Sequence, residues 1–133
     1  MISTKMKKFM ESTGRAIVAS ADALGNPHLA VGQDLRVVDP DHLVFEAWFC
    51  PKTLENVSGN PKVAIAVTDP SSGMGFQLAG VVENTSEVGI LNGYVPGVEE
   101  PGTPQVESRL VVRIIRLMEF SPGAHTDRAI SID

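Results

Sequence analysis

The segment Phe49-Cys50-Pro51-Lys52-Thr53-Leu54 holds the residues of this chain best suited to chemistry. Pro51 fits the first position of a helix, where its fixed φ is helical and its missing N–H would have no partner anyway. The N–H groups that follow, from Lys52 onward, have no intrahelical acceptor. A helix start of this kind is an anion site, with phosphate its usual guest. Lys52 opposes the helix dipole unless an anion lies against it, and Thr53 adds a hydroxyl donor. On the residues alone two readings stand: a phosphate anchor, or a solvated lysine followed by an ordinary helical threonine.

Other residues carry weaker signals. Trp48, the only tryptophan, suits either a flat aromatic ligand or a core or interface anchor. Gly32 and Gly75 permit close backbone approach to a ligand, or else mark a bulge and a loop end. Gln33 and Gln77 interrupt apolar strands, and their amides can read the edge of a heterocycle or face solvent. Cys50 has the position of a thiol activated at a helix start. No His–Asp pattern accompanies it, so a packing role is expected. His28, His42 and His125 match no metal-ligand spacing and read as surface residues. Asp34, Glu46 and Glu83 form no recognisable acid–base pair. Residues 71–75 are neither a nucleophile elbow nor a Walker loop.

The elements that must position these residues are short. Residues 1–12 predict an amphipathic helix, with Ser3 or Thr4 as cap, Met6, Phe9 and Met10 on one face, and Gly14 just past the end. Strands are predicted over 15–20, 28–38, 42–49, 62–68, 76–83 and 109–120. A two-turn helix is predicted over 51–58 and a short one over 85–91. The turn residues Asp22, Gly25, Asn26 and Pro27, and later Asp39-Pro40-Asp41, favour antiparallel hairpins. Residues 94–105, rich in proline and glycine, read as a loop. Val63–Val67 has no polar break, so both faces of that strand are expected to be covered. A mainly β barrel of about six antiparallel strands, covered by short helices or a second subunit, satisfies this pattern.

Composition limits the function. The chain has 133 residues, 43% hydrophobic and 20% charged, which fits one globular domain over 1–133 and excludes global disorder. Its 11 basic residues are outnumbered by 16 acidic ones, giving a net charge of −5 and no dense basic block, so no nucleic-acid partner is expected. No apolar run approaches the ~20 residues of a membrane helix, and no apolar stretch follows the N-terminal lysines as a signal peptide would require. With a single cysteine, a reducing cytoplasm is the simplest compartment.

Residues 52–67, KTLENVSGNPKVAIAV, resemble the flavin-binding split-barrel family related to pyridoxamine 5′-phosphate oxidase. Within it the chain looks most like the small FMN-binding proteins of sulfate-reducing bacteria. Their Lys-Thr-x-x-Asn-Val segment is matched by Lys52, Thr53, Asn56 and Val57. Their Gly-x-Gly-Phe-x-x-x-Gly segment is matched by Gly73, Gly75, Phe76 and Gly80, and an earlier Gly-x-Pro-His-Leu turn by Gly25, Pro27, His28 and Leu29. The resemblance implies a split-barrel homodimer with FMN at the subunit interface. It implies that Lys52 and Thr53 hold the phosphate. The strand over 29–33, with Val31, Gly32 and Gln33, would run along the flavin, with Ala47, Trp48, Phe49 and Cys50 beside it; Gln77, on the strength of its own amide, is a further candidate contact. The expected role is an electron carrier or a flavin reductase-like oxidoreductase, served by a redox partner protein or a nicotinamide donor. The other readings are a non-catalytic flavin-binding or storage module, or a member binding deazaflavin or haem. Two departures stand out. Val31-Gly32-Gln33 replaces the Asn-Thr-Trp of the small FMN-binding proteins, and residues 125–132 lack the Arg/Trp-rich C-terminal segment of the oxidase proper. Pyridoxamine-phosphate oxidase activity is therefore not expected.

Overall fold

A computed structural model describes residues 1–91, 105–124, 127, 129 and 130. Their order is α1 (Thr4–Thr13), β1 (Ala16–Ala21), β2 (Pro27–Asp39), β3 (His42–Trp48), α2 (Pro51–Gly59), β4 (Lys62–Thr68), β5 (Gly75–Leu91) and β6 (Gln105–Phe120). The strands close into an antiparallel barrel in the order β1-β2-β3-β6-β5-β4. β5 and β6 run on past the barrel, where β5 beyond Val81 pairs with β6 alone among the described residues.

Local chemistry sets the first elements. The Ser3 hydroxyl accepts the Met6 N–H at 3.2 Å, which starts α1. Gly14, at φ +67°, ends it by donating its N–H to the Met10 carbonyl. The Asp22 carboxylate then accepts the N–H groups of Leu24 and Asn26, both at 2.9 Å, and fixes the β1–β2 turn.

Alternation divides the strands into a barrel interior and an outer face. Ala16, Val18 and Ser20 of β1 point inward, as do Val63, Ile65 and Val67 of β4. Phe45, Leu43, Leu78 and Leu110 complete a core from which solvent is excluded. Burial of each such side chain contributes roughly 1.5–3 kcal/mol. Met10 plugs one end of this core from α1.

Two expectations about the elements are corrected. Residues 85–91 are not a helix: β5 runs on to Leu91, and Thr85 pairs with Leu110 and Leu91 with Gln105. The partner is β6, which starts at Gln105 rather than 109 and supplies a ladder that a local helix signal cannot foresee. The loop expected over 94–105 lies outside the described residues up to 104, and Gln105 is already strand. On β4, Ala64 and Ala66 face outward and are only half-buried in the single chain. No described helix is long and apolar enough to cross a membrane.

Candidate functional site

Helix α2 begins as its sequence dictates. Pro51 takes the first helical position, and Cys50 caps it in an extended conformation. Thr53, Asn56 and Val57, on one face, seat the helix against the barrel end. Residues of β1 and β2 meet it there. Ser20 and His28 are cross-strand partners and so share a face. The Asn56 amide donates to the Ser20 hydroxyl at 3.1 Å, and His28 Nε2 lies 3.3 Å from Cys50 Sγ. Asn56 Oδ1 and the Thr53 hydroxyl are buried with no hydrogen-bond partner among the described residues.

This environment acts on the thiol. Partial burial pushes the Cys50 pKa up. His28, the N–H groups of Thr53 and Lys52, and the Thr53 hydroxyl together outweigh burial and bring it down to about 7. The sulfur makes no formal cap hydrogen bond. The N–H groups act on it through proximity and the helix dipole.

Six of the residues expected at a flavin line one recess of about 140 Å³: Val31, Gln33, Ala47, Trp48, Phe49 and Cys50, with Asp34 as the seventh wall. Asp34 holds a left-handed φ of +54°, a conformation that Asp tolerates better than most residues. Gly32 lies between Val31 and Gln33 but faces the core. A Cβ there would come within 2.5 Å of the Trp48 ring and 2.6 Å of Phe45. Its close approach is therefore to two rings of its own core. Trp48 is 1% exposed. Its indole N–H donates to the Cys50 carbonyl at 3.1 Å, and its ring meets Phe45 edge to face at 5.1 Å. The indole thus fixes the chain just before α2 and is almost wholly buried.

Lys52 and Thr53 continue from Cys50 along α2. Lys52 is half-exposed, with Nζ 3.8 Å from Glu55 Oε1. Exposed pairs at this distance are weak and easily given up to a ligand. Thr53 is completely buried. Gln77 lies elsewhere, in a recess of about 310 Å³ on the outer face of the sheet with Ile17, Leu29 and Phe120. The two places are connected by the sheet itself. Val31, Ile17, Ala66 and Gln77 form one row across β2, β1, β4 and β5. Val31 and Leu29 are 63% and 67% exposed along this surface.

A larger recess, about 770 Å³, holds none of the expected cofactor residues. It lies beside α1, between Phe9, Met74, Phe76 and Phe120. Its size reflects an open groove, and it lacks the convergent thiol, imidazole and helix start that distinguish the smaller site. His28 corrects the surface reading made for it. It is half-buried and sits against the thiol. His42 stays near the surface, against Asp39 and Glu83. His125 lies outside the described residues. Among the described residues no group of three His, Cys, Asp or Glu could hold a metal ion.

A family profile described as pyridoxamine 5′-phosphate oxidase matches residues 2–114. No curated protein matches significantly. Among solved structures, Group A Streptococcus HupZ superposes with a TM-score of 0.69 at 23% identity, covering 95% of this chain and 99% of that one. An FMN-binding protein from Syntrophomonas wolfei gives 0.61 at 15% identity, covering 86% and 83%. HutZ, the haem storage protein from Vibrio cholerae, gives 0.54 at 12% identity, covering 90% and 94%. At these identities the likeness shows the fold.

Proposed function

This chain belongs to the pyridoxamine 5′-phosphate oxidase family, and on that premise we propose that it is an FMN-binding flavoprotein with a redox role. Its place would be that of an electron carrier or a flavin reductase-like oxidoreductase, with FMN at a homodimer interface in the cytoplasm. The observation that carries the reading is the gathering of Val31, Gln33, Ala47, Phe49 and Cys50 around one recess, with Cys50 the N-cap of α2 and Lys52 two residues further along the chain.

The residues present fit the phosphate end of the cofactor. Lys52 is exposed and only loosely paired, so its ammonium is available to the phosphate. The Thr53 hydroxyl is sealed beneath the surface and would reach a phosphate only if Cys50 turned aside. Its contribution is to seat the helix that carries Lys52. The ring end is incomplete on one chain, because about 140 Å³ falls below the ~300–1,000 Å³ of ligand pockets. A second copy laid on the apolar row from Val31 to Gln77 would complete it. When bound, FMN would supply the electron-transfer chemistry, and the protein would set its access to solvent and to an electron donor. The donor is a nicotinamide or a partner redox protein.

The test is the absorption spectrum of the purified protein, with mass identification of the released ligand. Flavin bands and the mass of FMN support the reading. A Soret band, a deazaflavin spectrum or a colourless protein that takes up no added FMN overturns it.

A further inference from the structure

Cys50 and His28 form a unit that flavin binding does not require. Their side chains approach to 3.3 Å from elements 22 residues apart in sequence. They meet at the first turn of α2, a helix of nine residues. The Thr53 hydroxyl is completely buried, has no partner within full hydrogen-bond geometry among the described residues, and acts on the sulfur to favour its charged form. A buried donor whose hydrogen-bonding capacity is left unfilled beside the sulfur can serve an oxygen bound to that sulfur. Cys50 is half-buried and lines a recess together with Val31, Gln33 and Asp34.

We propose that Cys50 and His28 are a reactive pair that reduces hydroperoxides, with Cys50 converted to a sulfenic acid at the start of α2. The thiol proton passes to His28 Nε2. The sulfur attacks the terminal oxygen of the hydroperoxide, an S–O bond forms and the O–O bond breaks. The sulfur is oxidised by two electrons. The departing alkoxide or hydroxide takes the proton from His28 and leaves as an alcohol or water. The sulfenic acid then has the Lys52 and Thr53 N–H groups and the Thr53 hydroxyl as donors. With one cysteine in the chain, no internal thiol resolves it, so a small external thiol must restore the reduced state.

Burial and neighbours agree with this chemistry, since the thiol pKa is brought down to about 7. At neutral pH a large fraction is already thiolate. The titratable groups near it are His28 from β2 and Asp34 across the recess, while the Lys52 ammonium is turned to Glu55.

The test uses flavin-free protein, so that it stands or falls apart from the cofactor reading. Iodoacetamide alkylation is followed against pH, and hydrogen peroxide treatment is followed by dimedone trapping and mass measurement. Expected are an alkylation midpoint near pH 7 and one dimedone adduct per chain, absent in Cys50→Ser. His28→Gln and Thr53→Val should move the midpoint upward and slow alkylation at pH 7 by about threefold, lower thiolate fraction being partly offset by greater nucleophilicity. A wild-type midpoint at or above about 8.5, the value of an ordinary cysteine, would overturn the proposal. So would the absence of a dimedone adduct. Both readings on the wild type are independent of whether any variant folds.

Discussion

Ser20 on β1 and Asn56 on α2 are joined inside the protein, with the Asn56 amide 3.1 Å from the Ser20 hydroxyl and both residues almost wholly buried. This bond and the His28–Cys50 contact hold the site helix against the barrel. Removing one partner leaves the other polar and buried, which costs about 1–3 kcal/mol. Asn56→Ala and Ser20→Ala should each lower stability in urea unfolding. The double variant should lose clearly less than the sum, since the two share one interaction. Additive losses would mean that the bond does not hold the helix.

Gly32 is fixed by its neighbours. Gly32→Ala would drive a methyl group against Trp48 and Phe45. Overpacking of this kind costs about 1–3 kcal/mol. Chemical denaturation should show that loss, and the single tryptophan's emission should shift as its ring is displaced. Unchanged stability would place the glycine in a looser setting than the two rings allow.

His42 gives stability a pH dependence. Hydrogen bonding to the Asp39 carboxylate, with a smaller contribution from Glu83, raises its pKa above 6.5. The charged form is therefore favoured in the folded state. Its contribution is complete below pH 6.5 and is lost as pH rises through the raised value. The melting temperature of wild type should exceed that of His42→Gln most at pH 5.5–6.5, and the gap should narrow towards pH 9. A gap that widens with pH would reverse the assignment.

The apolar row on the outer face predicts a dimer. Ile17, Leu29 and Val31 are large and exposed together in the single chain, which is the pattern of an interaction surface. Sedimentation should show a homodimer at micromolar concentration, burying more than about 2,000 Å² as permanent interfaces do. Leu29→Glu should yield a folded monomer. A wild-type monomer with and without FMN would remove the surface from the proposed site.

What the sequence disclosed was mostly local. Ser3, Gly14, the Asp22–Asn26 turn and Pro51 act within a few residues, so their signals survive in the linear chain. The barrel followed from strand patterning and turn residues. The helix expected over 85–91 failed because its strand depends on β6, far along the chain. His28 looked like a surface residue for the same reason. Only the β1–β2 register, which sets it opposite Ser20, turns it towards α2 and Cys50. The 140 Å³ recess gathered most of the residues that the family resemblance named, while Gln77 joined them only through a row crossing four strands.

The central claim is that the start of α2 holds the phosphate of FMN through Lys52. A charge-assisted contact of this kind is worth about 1.5–3 kcal/mol. Fluorescence titration of wild type and Lys52→Ala with FMN and with riboflavin measures it directly. The account predicts FMN affinity lower by roughly ten- to a hundredfold in the variant, with riboflavin affinity unchanged because riboflavin has no phosphate. Equal losses for both flavins, or no loss for FMN, would contradict it.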